Sequence, residues 1–185
     1  MKDHIDRITE AWARELPGVD TTAMAVVGRL LRASRHVQRG IERQLGAFGL
    51  NMTEFNILAA LRRTGAPYRM APADLSRSLL LTSGGLTKRI DRLEHDGLIE
   101  RTPALDDRRS VLVGLTPAGL ALADEAVTVH LRNEARLIQA LSSEDMDALT
   151  SVLRTLLASF EDGYESNHGQ IRRRRAVSQR PAPTS

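Results

Sequence analysis

Between Ser83 and Asp96 the residue types sort by direction. At about 100° of turn per residue, Leu86, Ile90, Leu93 and Gly97 fall in one narrow arc. Gly84, Lys88, Arg92 and His95 fall opposite, with Ser83, Thr87 and Asp91 beside them. One face is suited to a core and the other carries hydrogen-bond donors. The first turn, Ser83-Gly84-Gly85, is small enough for its backbone to approach another surface, and its free N–H groups favour phosphate. Hydroxyl and ammonium donors on the leading turn of a helix are what readout of base edges in the major groove requires. Taken alone, the pattern also fits an ordinary amphipathic surface helix, and Asp91, Glu94 and Asp96 oppose DNA contact along its second half.

A second cluster follows. Asp106-Asp107-Arg108-Arg109 lies between two β-type runs, 98–102 and 110–115. An arginine at the tip of such a hairpin can enter the minor groove, where a narrow cleft concentrates negative potential. Asp107, two residues before Arg109, is placed to hold that arginine.

The elements that must position these clusters are legible in the same chain. Residues 1–20 form a short amphipathic segment ending at Pro17-Gly18. From 22 to 48, Val26, Val27, Leu30, Leu31, Val37, Ile41 and Leu45 recur at helical spacing. Asn51 with Glu54 three residues on is a capping-box pattern that opens a helix to about Arg63. Pro72 suits the first position of a short helix carrying Leu75 and Leu79. Thr82-Ser83 then caps the helix that stops at Gly97. Thr116-Pro117 starts a long helix to about Ala140, and Ser142 to Asp145 caps a last one ending near Phe160.

A hairpin directly after a helix-turn-helix is a winged helix. The expected fold is thus mainly α with a small β-hairpin wing (α+β). The long flanking helices exceed what so small a head needs for its own core, so the N- and C-terminal helices are expected to form a homodimer interface. The expected organisation is an N-terminal extension helix over 1–20, a winged-helix domain with dimerisation helices over 21–165, and a basic, disordered tail over 166–185.

Composition narrows the function. The chain has 185 residues and no cysteine, which excludes disulfides, thiolate catalysis and cysteine-rich zinc sites. Six aromatic residues are too few for a single-strand binder that stacks base after base. The net charge is +3, but Arg172, Arg173, Arg174, Arg175 and Arg180 crowd the end; without those five, 21 basic residues face 23 acidic ones. A nucleic-acid argument must therefore rest on where charges sit. No apolar run approaches the ~18 residues of a membrane span, and MKDHIDRITEAW has no apolar core of a signal peptide; the cytoplasm is the expected compartment. The five histidines are scattered without metal spacing. No phosphate loop or Gly-x-Ser-x-Gly elbow is present, so neither a cofactor nor an enzyme activity is expected.

The run LTSGGLTKRIDRLEHDGLIERTPALDDRRSVLVGLTPAG, residues 81–119, resembles the core of the MarR family of transcriptional regulators. The family pattern of Asp-x-Arg, a strand and Leu-Thr is present as Asp107-Arg108-Arg109 and Leu115-Thr116, and the resemblance spans roughly 22–160. It implies a winged-helix homodimer on a pseudopalindromic operator in double-stranded DNA, most often as a repressor. It places Thr82, Ser83, Gly84, Thr87, Lys88 and Arg92 toward the major groove and Arg108 and Arg109 in the minor groove. Two heads on one face of DNA need half-sites ~34 Å apart. The alternative is an architectural DNA-coating protein with little ligand response.

Four further stretches, WARELPGVD (12–20), VGRLL (27–31), EFNIL (54–58) and LRRTGAPY (61–68), resemble the urate-responsive subgroup of that family. The subgroup senses ligand with a tryptophan, an acid in a Glu-Phe-Asp motif and an arginine of the recognition helix. The matching positions are Trp12, Asn56 and Arg89, with a further arginine matching Arg101. Asn56 stands where the subgroup has Asp; it cannot form the ion pair but can hydrogen-bond Arg89. Asn56 and Arg63, seven residues apart, share one stripe of their helix, and Arg89 lies about 70° off the apolar arc of its own. A small-molecule site near Trp12, Asn56, Arg63 and Arg89 is expected, with a urate-like, purine-like or other planar anion as effector, because guanidinium groups match planar acceptors.

Overall fold

The computed structural model describes residues 2–79, 83–103 and 111–178. The chain divides into two compact units, Met1–Leu137 and Ile138–Ser185.

In the first unit, α1 (His4–Glu15) is opened by Asp3, whose carboxylate accepts the Ile5 and Asp6 N–H groups while Asp6 returns a bond to the Asp3 N–H. This reciprocal cap satisfies donors a helix start otherwise leaves free. The helix α2 (Thr22–Gly46) receives it. Ile5 is buried against Gly28, and Arg29 bridges Asp3 at 2.8 Å and Asp6 at 2.5 Å.

Next come α3 (Met52–Arg63), the two-residue strand β1 (Arg69–Met70), α4 (Pro72–Ser78) and α5 (Ser83–His95). They are followed by β2 (Ile99–Pro103), β3 (Val111–Leu115) and α6 (Pro117–Leu137). The strands form an antiparallel sheet in the order β1-β3-β2, with Ile99 opposite Leu115 and Pro103 opposite Val111. Arg69, Gly114 and Glu100 lie in one cross-strand row. The Arg69 side chain crosses the bare Gly114 to reach Glu100 at 3.0 Å.

One core joins these pieces. Leu45, Ile57, Leu58, Leu61, Leu75, Leu93, Ile99 and Val113 are almost fully buried, with Leu86, Ile90, Ala123 and Ala126 packed among them. Each large apolar side chain so buried contributes about 1.5–3 kcal/mol. The close approach of α2 and α6 uses Gly40, where a Cβ would come within 2.6 Å of Leu137 Cδ2. Buried Asn133 donates to the Gly40 carbonyl at 3.3 Å.

The mainly α fold with a small wing is as expected, and so are the caps at Asn51 and Thr116. The strand β1 was not anticipated, since two residues carry no periodicity. The second unit holds α7 (Ser143–Ser178), capped by Ser142 and Asp145. This corrects the sequence reading, which ends the last helix near Phe160 and expects a disordered tail from 166. Past Phe160 the chain is rich in helix-forming Glu, Gln, Arg and Ala, interrupted only by Gly163 and Gly169, with no proline before Pro181. Residues 179–185 lie outside the described part. Among the described residues no helix is long and apolar enough to cross a membrane.

Candidate nucleic-acid interface

The helix α5 divides as its sequence pattern requires. Leu86, Ile90 and Leu93 are buried, whereas Gly84, Gly85, Thr87, Lys88, Asp91, Arg92 and His95 are exposed. The apolar side anchors the helix to α3, α4 and β2, and the leading turns offer hydroxyl, ammonium and backbone groups outward. At the far end Gly97 takes a positive φ of 70°, a conformation open to glycine at no steric cost, and turns the chain into β2.

Four of the expected DNA-facing residues, Thr82, Asp107, Arg108 and Arg109, lie outside the described residues, as does the side chain of Ser83. The backbone of Ser83 begins α5.

Arg92 and Arg89 meet at a residue that the sequence reading assigned only to a helix cap. Glu54 is fully buried. Its Oε2 accepts the Asn51 N–H at 3.0 Å, completing the capping box of α3. Its Oε1 faces α5, where it accepts from Arg89 Nη1 at 3.3 Å and lies 3.1 Å from Arg92 Nη1. Arg92 also donates to the Gly49 carbonyl at 3.4 Å and stands 3.6 Å from Asp96. One carboxylate thus caps α3 and ties two guanidinium groups of α5 to it. Because the Glu54 carboxylate is shielded from water, these contacts are screened less than surface pairs.

The expected ligand residues are placed separately. Arg89 bonds Glu54, not the half-buried Asn56 two residues along. Arg101, on β2, bonds Asp91 at 2.5 Å and Glu94, both on α5. The hydrogen bond from Asp91, joined by the field of Glu94, raises the pKa of Arg101 and holds it charged. Those two acids, which oppose DNA contact, are therefore used to fasten the wing to the helix. Arg63 is exposed on α3, and Trp12 on α1 is 44% exposed. Among the described residues no cluster of His, Asp or Glu could hold a metal ion.

The helix-turn-helix and wing coincide with a family model: the MarR family model matches residues 50–111. The chain is also 37% identical over 149 residues to the HTH-type transcriptional regulator PecS of Dickeya dadantii, covering 80% of this chain and 90% of that protein. The chain belongs to the MarR family. MarR-family proteins are DNA-binding transcriptional regulators, not enzymes. Two solved MarR-type structures bear on the geometry. A mutant MarR from E. coli complexed with operator DNA superposes with a TM-score of 0.64 at 26% identity, covering 75% of this chain and 99% of that one. BpsR of Bordetella bronchiseptica, whose structure concerns regulation of its DNA binding by 6-hydroxynicotinic acid, superposes with a TM-score of 0.60 at 27% identity, covering 70% and 97%.

Proposed function

We propose that this MarR-family chain is a homodimeric repressor that reads a pseudopalindromic operator and releases it on binding a small planar anion. The observation that carries the reading is the two-sidedness of α5. Its leading turn points Gly84, Thr87 and Lys88 outward, while its flank is bound through Arg89 and Arg92 to a buried acid on α3. In this reading Thr82, Ser83, Gly84, Thr87 and Lys88 meet the major groove, Arg92 meets it from its Glu54 bridge, and Arg108 and Arg109, steadied by Asp107, enter the minor groove.

A second copy is supported by apolar side chains that remain exposed. Val26, Val27 and Leu31 on α2, and Leu149, Val152, Leu157 and Phe160 on α7, are all exposed. Rows of this kind at both ends of a small regulator are the surfaces a dimer covers. The effector reading rests on Arg89. An anion that takes Arg89 from Glu54 alters the hold of α3 on α5 and so couples ligand to DNA affinity. Trp12, Asn56, Arg63 and Arg101 are the accompanying ligand residues of this proposal. The planar acid named for BpsR is of the favoured chemistry.

The test is footprinting upstream of the protein's own gene, repeated with urate and a panel of planar anions. Arg109→Ala should weaken operator binding far more than binding to scrambled duplex. Equal loss on both duplexes would favour an architectural DNA-coating protein. Protection unaffected by every anion would remove the ligand-release half of the proposal, and absence of a protected site would remove the operator half.

A further inference from the structure

We propose that the cavity between α1 and the middle of α2 binds a compact organic carboxylate, with its apolar body on Ile5, Ile8 and Leu31 and its acid group on Arg32, Arg35 and Arg39. The cavity has a volume of about 400 Å³ and is also lined by His4, Gly28 and His36. That volume lies within the range of small-molecule sites, roughly 300–1,000 Å³. None of the effector residues discussed above lines it.

Charge bookkeeping around α1 and α2 points to an anion. Five arginines of α2 are matched by a single acid, Glu42. Arg32, Arg35, His36 and Arg39 stand three, four and seven residues apart, so they share one face, where like charges repel. The acids within reach are already engaged. Asp3 and Asp6 both bind Arg29, Glu10 binds Lys2 at 2.6 Å, and Glu42 accepts from Gln38 at 2.8 Å. Among the described residues the side chains of Arg32, Arg35 and Arg39 make no ion pair and no hydrogen bond, whereas Arg29, Arg62, Arg69, Arg89, Arg92 and Arg101 are all paired with carboxylates. A second hollow of about 390 Å³ shares His36 and Arg39 and extends toward Arg43 and Glu42.

The other half of the wall decides the ligand class. Ile5 is buried and closes over Gly28, where a Cβ would meet Ile5 Cδ1 at 3.1 Å. Ile8 and Leu31 extend this apolar patch. A bare inorganic anion leaves such a patch unused, and a DNA backbone is too extended to enter a hollow of this size. A carboxylate on a small ring or chain uses both halves, since guanidinium forks bind carboxylates through two parallel hydrogen bonds.

The proposal does not depend on operator binding, and its test reads ligand binding without DNA. Full-length protein is titrated calorimetrically with benzoate, sulfate and benzamide in separate arms at constant ionic strength, with Trp12 fluorescence as a second signal. Saturable benzoate binding is expected at one site per chain, weakened at least tenfold in Arg35→Gln/Arg39→Gln and unchanged in Arg63→Gln. Both sets of positions are exposed on helices, and circular dichroism checks that the fold is retained. The idea is overturned if sulfate competes as well as benzoate, or if benzamide binds as tightly. It is equally overturned if the α2 variant binds normally, if Arg63→Gln abolishes binding, or if the protein binds no benzoate because a second copy fills the hollow.

Discussion

Replacing Glu54 by Gln isolates the charge of the residue that ties the recognition helix to its support. The amide keeps the length of the side chain and can still accept the Asn51 N–H, so the cap of α3 survives while two ionic contacts lose their anion. Those contacts are 3.3 Å to Arg89 and 3.1 Å to Arg92. Unit charges ~4 Å apart attract by about 4 kcal/mol at an effective dielectric of ~20. The arginine side chains are 38% and 51% exposed, so water recovers much of this when the acid goes. A loss of about 1–2 kcal/mol per contact follows, between the ~0.2–1 of exposed pairs and the ~3–5 of a broken buried pair. Urea unfolding should therefore show Glu54→Gln destabilised by about 2–3 kcal/mol. A double-mutant cycle with Arg89→Gln should give a coupling near 1 kcal/mol, about the size expected of residues in contact. Operator affinity should fall in the same variants, because α5 is no longer held at two points. A coupling within the ~0.3–0.5 kcal/mol scatter of independent sites, with operator affinity intact, would refute the hub.

Three other outcomes are expected. Gly119→Ala drives a Cβ into the Leu98 carbonyl oxygen, far inside van der Waals contact; the clash is with backbone, so a loss of about 3 kcal/mol or more should appear in chemical denaturation, and wild-type stability would contradict the packing of α6. Asp3 is held below the usual carboxylate range first by the Asp6 N–H and then by Arg29, and Asp6 likewise by the Asp3 N–H and Arg29. Depressed carboxylates stabilise above their unfolded pKa and lose that contribution as pH falls through the folded value, so docking of α1 should hold at neutral pH and weaken below about pH 4. Trp12 fluorescence should report this, and an acid transition identical in Asp3→Asn/Asp6→Asn would argue against it. Lys88→Ala should weaken operator binding by about 1–3 kcal/mol if the ammonium reads a base, and scrambled DNA by much less; equal effects in a gel-shift series would reassign Lys88 to phosphate.

Much of this architecture was visible before the coordinates because it is local. Asn51 and Glu54, Thr116 and Pro117, and the spacing of Leu86, Ile90 and Leu93 each specify an element within a few residues. The second role of Glu54 was not visible, although the residue itself was singled out. Spacing shows that an acid sits at the third position of α3; it does not show that one oxygen caps the helix and the other turns to α5. Attention went instead to Asn56, where the resemblance drew it, while residues 54 and 56 point about 200° apart on a helix. The acids at Asp91 and Glu94 gave a similar lesson. Read alone they repel DNA, but paired with Arg101 across 10 and 7 residues they fasten strand to helix. The extent of α7 was missed because a polar, arginine-rich stretch satisfies helical backbone preferences as readily as it satisfies solvent.

The junction at Thr116 limits how this head can move. Its hydroxyl donates to the Gly97 carbonyl at 2.7 Å and accepts the Gly119 N–H at 3.0 Å, while its own N–H meets the Leu98 carbonyl at 3.2 Å. The exit of α5 and the entry of α6 are thereby pinned by one side chain and its backbone, with no room at Gly119 for slack. The recognition helix cannot swivel in its socket unless α6 swivels too, and α6 is packed along α2. Induction in such a molecule must work by changing the stride between two stiff feet on the duplex, because neither foot has an ankle.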